Sequence, residues 1–281
     1  FNDWEEDTHP LEHEEDGYWA ADLPNAKPGD QYKYVIVNGE EKHHRNDPYA
    51  RLLTNSAGNT IIYDPAPIAS DSEFRIANWN ELVIYEMHIG TFNDEPGGPP
   101  GNFEDAIERL PYLESLGINA VEIMPPAEFP GGFSWGYNPA HPFSIEQDYG
   151  GPEAFIKFVK AAHEKGIAVI VDVVYNHFGP GDLDLWRFDG WHENDGGGIY
   201  FYNDWKGKTP WGHTRPDYGR PEVRQYIRDN ALMWLREYDV DGLRWDATAY
   251  IRDVEGNDGN PDTELPEGWG LMQWIHNEIN E

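Results

Sequence analysis

The chain contains no cysteine, which excludes disulfide bridges and cysteine-ligated zinc. It is also poor in positive charge: 20 Lys plus Arg face 52 Asp plus Glu in 281 residues, a formal charge of −32. Such a field repels polyanions and argues against nucleic acid and anionic membrane as partners. No stretch approaches the ~20 apolar residues of a membrane-spanning helix. No secretory leader is visible either, and the opening "FNDWEED" reads like the middle of a domain, so the natural start is expected upstream. Freedom from cysteine suits a reducing cytoplasm, the expected location. The acidic residues are spread along the chain and form no single tail, which marks a solvated surface. A high-salt environment, where dissolved ions screen the self-repulsion, accounts for the imbalance. Aromatic side chains, by contrast, are plentiful, at 14% with 12 Trp. Their faces pack on the apolar faces of sugar rings, but they also fill cores, so composition alone does not choose.

Two textures divide the chain. Residues 1–75 carry short alternating runs, "YWAADL" and "QYKYVIV", punctuated by "NAKPGD" and "VNGEE". They predict a small antiparallel β-module, with "YDPAP" and "IASDSE" as the linker. Over residues 76–281 strands alternate with helices. "LVIYEMHI", "INAVEIMP", "IAVIVDVVY" and "VDGLRWDA" are the strands. "NFEDAIERLPYLESLG", "GPEAFIKFVKAAHEKG", "RPEVRQYIRDNALMWLREY" and "GWGLMQWIHNEINE" are the helices, with Gly117 and Gly166 as C-terminal stops. Nearly all-apolar strands separated by helices imply a parallel sheet covered by helices. A closed (β/α)8 barrel takes about 250 residues, so four βα units leave an open α/β sheet or half of a barrel.

In both architectures ligands bind at the carboxyl ends of the strands. The first strand ends near Glu86 and His88. The second leads into a Gly/Pro-rich loop with Trp135 and Tyr137. The third carries Asp172, Asn176 and His177, and the fourth Arg244 and Asp246. Taken singly, Asp172 reads as a local hydrogen-bonding residue where strand becomes loop, and His177 as a packed structural histidine. Arg244 and Asp246 have a sharper logic. Residues i and i+2 of a strand share a face, and a guanidinium beside a carboxylate favours the ionised form that a nucleophile requires. A structural ion pair is the plain alternative.

Together, "DVVYNH" and "GLRWDA", about 70 residues apart with a helix between them, resemble the first two signature regions of the α-amylase superfamily. "VIYEMHIGTF", "GINAVEIMPPAEFPGGFSWGYNP" and "DYGGPEAF" fit the same family, in the same order. The front portion resembles the carbohydrate-binding β-sandwich that precedes the barrel in branching enzymes. The fold this implies is α/β: an N-terminal β-sandwich remnant, then the first half of a (β/α)8 TIM barrel. The resemblance also implies site roles. Asp246 matches the nucleophile that forms a covalent glycosyl-enzyme, and Arg244 the residue that orients it. His177 matches a histidine on the sugar hydroxyls, Asp172 a carboxylate under the sugar and Tyr137 a stacking platform, with Trp135 beside it as a further substrate-binding side chain. Asn176 matches a calcium ligand in many amylases, yet branching-type members commonly lack that ion, so no metal or cofactor is expected.

The implied partner is an α-glucan and the implied chemistry retaining glycosyl transfer. In this family the acid/base Glu follows strand five and a third carboxylate follows strand seven, both beyond Glu281. Glu278 and Glu281 sit in the preceding helix and are no substitute, so the 281-residue chain alone is expected to be inactive. A branching enzyme is the favoured reading, echoed by "YGRPEVR". Maltooligosyl trehalose trehalohydrolase, sharing "AIERLPYL" and "DVVYNHFGP", is the rival, followed by a plain amylase or pullulanase-type hydrolase. A non-catalytic glucan-binding protein is the reading outside enzymes. "DVEGNDGNPDTE" does not match calcium-loop spacing, and the histidines of "KHHRND" face opposite ways on a strand and cannot easily share a metal.

Overall fold

The structure is a computed structural model that describes residues 1–65, 74–257 and 259–280. Most of the expected linker, residues 66–73, lies outside the described residues. The front of the chain pairs as expected, antiparallel throughout. β1 (Glu12–His13) pairs with β2 (Trp19–Ala20), β3 (Gln31–Tyr32) and β4 (Tyr34–Asn38) follow, then β5 (Glu41–Arg45) and β6 (Thr60–Ile61). β3 pairs with β6 and β4 with β5, so these are separate two-stranded ladders. The β4–β5 turn closes over Gly39 and Glu40, and Gly39 takes φ +62°, the left-handed geometry a two-residue hairpin loop demands. His43 and His44 sit on opposite faces of β5, with His44 bonded to Glu6 at 2.8 Å.

Next come β7 (Ile84–Met87), α1 (Ile89–Phe92), α2 (Phe103–Ile107), α3 (Leu110–Ser115) and β8 (Ala120–Ile123). They are followed by β9 (Ala127–Glu128), β10 (His141–Ile145), α4 (Gly151–Glu164) and β11 (Ala168–Val173). The described chain closes with α5 (Pro221–Glu237), β12 (Gly242–Trp245), α6 (Ala249–Arg252) and α7 (Pro266–Ile279). The single helix expected over 102–117 is two. Asn102 opens α2 with a capping box to Asp105. Pro111 then has no N–H for the carbonyl of Ile107, and the helix breaks at Glu108–Arg109. β9 and β10 form a hairpin inside what reads as loop, because Pro142 interrupts its apolar run.

The four parallel strands form one sheet in the order β7-β8-β11-β12. A doubly wound open sheet reverses its order at a switch point. Here every strand lies beside its predecessor, as in the first half of a βα barrel. One face of the sheet, with Val121, Ile123, Val169, Val171 and Val173, packs on Phe103, Phe155, Phe158 and Trp234 in a continuous core. Each such fully buried side chain is worth about 1.5–3 kcal/mol. Alternation sends Glu86, Glu122, Asp172 and Arg244 to the other face, and register pairs Glu86 with Glu122 and Asp172 with Arg244. Among the described residues no helix is long and apolar enough to cross a membrane.

The front module is fastened to the excursion between β11 and α5. Arg45 donates to the carbonyls of Phe188 and Arg187 at 2.9 and 2.8 Å, and Asn38 to that of Asp189 at 2.9 Å. Asp184 accepts the Asn46 N–H at 2.7 Å, and Asp182 the Ser56 hydroxyl at 2.9 Å. Arg51 forks onto Glu237 of α5 with two bonds of 2.7 Å.

Candidate active site

Asp172 is the penultimate residue of β11, and its register partner Arg244 is the penultimate residue of β12. The ladder runs one step further, since the Asp246 N–H donates to the Val173 carbonyl at 3.0 Å. Arg244 and Asp246 therefore share a face, and one guanidinium nitrogen, Nη1, lies 2.8 Å from both Asp172 Oδ2 and Asp246 Oδ1. The chain turns immediately afterwards, with Ala247 forced to φ +42°, a strained value for a residue with a Cβ.

Tyr137 reaches the same point from the loop between β9 and β10. Its hydroxyl donates to Asp172 Oδ2 at 2.8 Å. The preceding Gly136, at φ +87°, lets the loop pass so close to Pro125 that a Cβ there would lie 2.0 Å from that residue's carbonyl oxygen. Asn176 completes the set: Nδ2 donates to Asp246 Oδ2 at 2.9 Å and to its backbone carbonyl at 3.1 Å. That fixes the amide orientation, so Oδ1 faces His177, whose Nδ1–H donates to it at 2.5 Å. Both Asp246 oxygens thus hold one hydrogen bond each, Oδ1 from Arg244 and Oδ2 from Asn176.

Burial sets the electrostatics. Asp172 is 1% exposed and is pushed up to about 6, its burial outweighing the bonds from Arg244 and Tyr137. Its Oδ1 has no protein partner. Burial also pushes His177 down to about 4, against the pull of the Asp246 charge and a bond to the Tyr137 backbone. Burial lowers Arg244, but its bonds to Asp172 and Asp246 outweigh that and hold it above its ordinary value. Glu122 is raised, chiefly by burial, and stands 3.9 Å from Arg244 Nε.

The structure therefore joins Tyr137, Asp172, Asn176, His177, Arg244 and Asp246 through one hydrogen-bonded network. Trp135 is beside it, not in it. With 71% of its surface exposed, it lines a neighbouring cleft of about 380 Å³ with Phe133, His88, Thr91 and Tyr149. Glu278 is spent in a fork with Arg228, with Arg236 at 3.5 Å, while Glu281 lies outside the described residues. Both polar atoms of the Asn176 amide are taken by protein partners, and among the described residues no three His, Asp or Glu side chains converge as metal ligands. Sequence reasoning missed two neighbours. Glu122 carries a readable signal, a polar residue at an alternating position in "AVEIMP". Trp211, which stacks on His177, carries none.

Two family models match the chain: the α-amylase catalytic domain over residues 49–182, and carbohydrate-binding module 48, the isoamylase N-terminal domain, over residues 1–50. The chain is similar to the malto-oligosyltrehalose trehalohydrolase of Saccharolobus solfataricus, 40% identical over 248 residues, covering 87% of this chain and 41% of that protein. It is also similar to the 1,4-alpha-glucan branching enzyme of Rubrobacter xylanophilus, 37% identical over 266 residues, covering 89% of this chain and 35% of that one. Among solved structures it resembles the pullulanase of Anoxybacillus complexed with maltotetraose, at 25% identity and a TM-score of 0.75, over 96% of this chain and 41% of the other. The chain spans about two fifths of the length of such relatives.

Proposed function

Since the chain belongs to the α-amylase superfamily, we propose that its strand ends form the glucose pocket of an enzyme that transfers glycosyl groups of α-1,4-glucans with retention. One observation carries the reading: the shared placement of Arg244 Nη1, 2.8 Å from Asp172 and 2.8 Å from Asp246. Asp246 is the nucleophile. One of its oxygens attacks the anomeric carbon, the glycosidic oxygen departs with a proton, and a glycosyl ester remains until a hydroxyl attacks the same carbon. Arg244 and Asn176 aim the carboxylate by holding one oxygen each. Asp172 lies beneath the ring and shares the Arg244 guanidinium with the nucleophile, while Tyr137 offers an aromatic face and neutral His177 a further hydrogen-bonding edge. Trp135 extends the sugar-binding surface into the adjoining cleft. The acid that protonates the departing oxygen is assigned to none of the described residues. Asp172 is held by Arg244 and Tyr137, Glu122 faces Arg244, and Glu278 is in its surface fork.

Fluoride departs without acid assistance, so 5-fluoro-α-glucosyl fluoride interrogates Asp246 alone. The expected result is one fluoroglucosyl adduct in intact-mass spectra, mapped to the peptide holding Asp246 and missing from Asp246→Asn. Equal labelling of that variant, or an adduct elsewhere, would reject the assignment.

The acceptor we infer is a hydroxyl of another glucan strand, which makes the activity branching. Similarity to branching enzymes supports it, as do the exposed aromatic surfaces around the pocket. Transfer to water, as the name trehalohydrolase describes, is favoured by the 40% identity to the Saccharolobus protein. The two acceptors attack the same intermediate, so water exclusion and acceptor contacts decide between them. Linkage analysis of amylose products separates new 1,6 branches from released sugar.

A further inference from the structure

We propose that Asn38 is a self-modification site: the Gly39 backbone nitrogen displaces ammonia from its side chain, and the carboxylate left behind unlatches the front module from the β11–α5 excursion. Asn38–Gly39 is the one Asn-Gly pair in the sequence; every other asparagine precedes a residue whose side chain hinders such an attack. The pair lies at a hairpin tip. Asn38 is the last residue of β4 in register with β5, and Gly39 begins the two-residue loop. Asn38, Gly39 and Glu40 are exposed, so solvent reaches all three. A Cβ built on Gly39 would meet no atom within 4 Å, and among the described residues its N–H donates to no acceptor. The chemistry needs only water. The Gly39 nitrogen gives its proton to solvent base and bonds to the side-chain carbonyl carbon of Asn38. The bond from that carbon to Nδ2 breaks, ammonia leaves, and a cyclic succinimide remains. Water then opens the ring at either carbonyl, giving aspartate or its β-linked isomer.

The position matters because this amide is a fastener. Asn38 Nδ2 donates to the Asp189 carbonyl at 2.9 Å, next to the Arg45 bonds to Phe188 and Arg187 at 2.9 and 2.8 Å. An ionised carboxylate has no proton to give that carbonyl, so the product sets oxygen against oxygen. Glu40 and Glu41 follow directly in the chain and add like charge. The joint has little slack to absorb this, since a Cβ on Gly190 would lie 2.3 Å from His43 Nε2 of β5. The same bond restrains the reaction beforehand. Cyclisation turns the Asn38 side chain back onto its own backbone, so the amide must first leave the Asp189 carbonyl. Deamidation therefore proceeds from the opened joint and then holds it open, a one-way latch.

The test incubates the whole chain at mildly alkaline pH and follows it by peptide mapping. The Asn38 peptide is expected to gain about 1 Da before any other asparagine reacts, as a mixture of aspartate and isoaspartate. Arg45→Met removes the neighbouring bonds and should speed the change roughly tenfold by populating the open joint. Asn38→Gln keeps an amide but would have to close a larger ring, so its mass should hold. Hydrogen exchange reads the unlatching without relying on Arg45→Met to fold. The Arg187 and Gly190 amides, bonded to the carbonyls of Gly197 and Arg187 at 2.7 and 2.9 Å, are the reporters. In Asn38→Asp, and in the aged chain, they should exchange at least about threefold faster than in the fresh chain. An Asn38 that outlasts other asparagines would overturn the proposal. So would a folded Arg45→Met that deamidates no faster, or Asn38→Asp with unchanged exchange at Arg187 and Gly190.

Discussion

Replacing Arg244 with leucine removes the cation from the centre of the site while keeping much of its bulk. Two charge-assisted bonds of 2.8 Å are lost. Each is worth about 1.5–3 kcal/mol when well buried, but the Arg244 side chain is 39% exposed, so solvent screening discounts the total to roughly 2–3 kcal/mol. The loss has a pH signature. With Arg244 present, Asp172 titrates at about 6, above the ordinary 3.8 because burial disfavours its charge. Arg244 opposes that rise, so its removal moves the folded-state value higher still. A value raised on folding contributes stability at low pH that is lost as pH climbs through the folded value. The variant therefore continues to lose stability where the natural chain has stopped. The deficit is expected to be near its full size at about pH 8 and less than half of it at about pH 5, where Asp172 is protonated in both. Urea unfolding followed by far-UV circular dichroism at the two pH values measures it, and Arg244→Leu/Asp172→Asn should restore most of the pH 8 loss. A deficit independent of pH, or no rescue by the second substitution, would show that Asp172 does not depend on Arg244 for its charge.

Arg215→Met leaves four carbonyls without their donor and is expected to cost about 3–5 kcal/mol; the check is its melting temperature, together with new proteolytic cuts within residues 207–216. A loss under about 1 kcal/mol would mean that the Arg215 bonds to the carbonyls of Lys208, Tyr250, Asp253 and Val254 contribute little. Glu128 and Glu146 are both buried carboxyl groups whose values burial raises, Glu128 further by the charge of Glu146. Their contribution is therefore present in acid and lost as pH rises toward and past neutrality. Glu128→Gln should raise the urea midpoint at about pH 8 and leave it nearly unchanged at about pH 5; a lower midpoint at the higher pH contradicts this. With a formal charge of −32, the chain should melt at a higher temperature in molar KCl than in dilute buffer, and a lower melting temperature there would dismiss screening as the reason for the composition.

Asp172, Arg244 and Asp246 were readable because they break an apolar alternation at strand ends, where parallel sheets place their ligands. Their convergence needed one more quantity, the register that sets Asp172 beside Arg244, and no local pattern encodes it. Tyr137 and Asn176 could be named through family likeness, while the Tyr137 bond to Asp172 depends on how Gly136 lets its loop approach Pro125. The helix break at Pro111 is local chemistry that apolar periodicity concealed, since both α2 and α3 keep the same buried stripe. Trp211 was illegible for a different reason. Its place is set by Arg215 binding carbonyls 35 to 39 residues further along the chain, a long-range arrangement without periodic trace.

The junction between the front ladders and the β11–α5 excursion limits how the chain can be rearranged. Arg45 and Asn38 hold carbonyls of three successive residues, Arg187, Phe188 and Asp189, so the two segments share their hydrogen-bond accounting. A graft that exchanged residues 1–50 for a foreign module would strand those carbonyls unless the excursion were redesigned with it. Modular swapping at the family-model boundary near residue 50 therefore cuts through a joint and not between two beads.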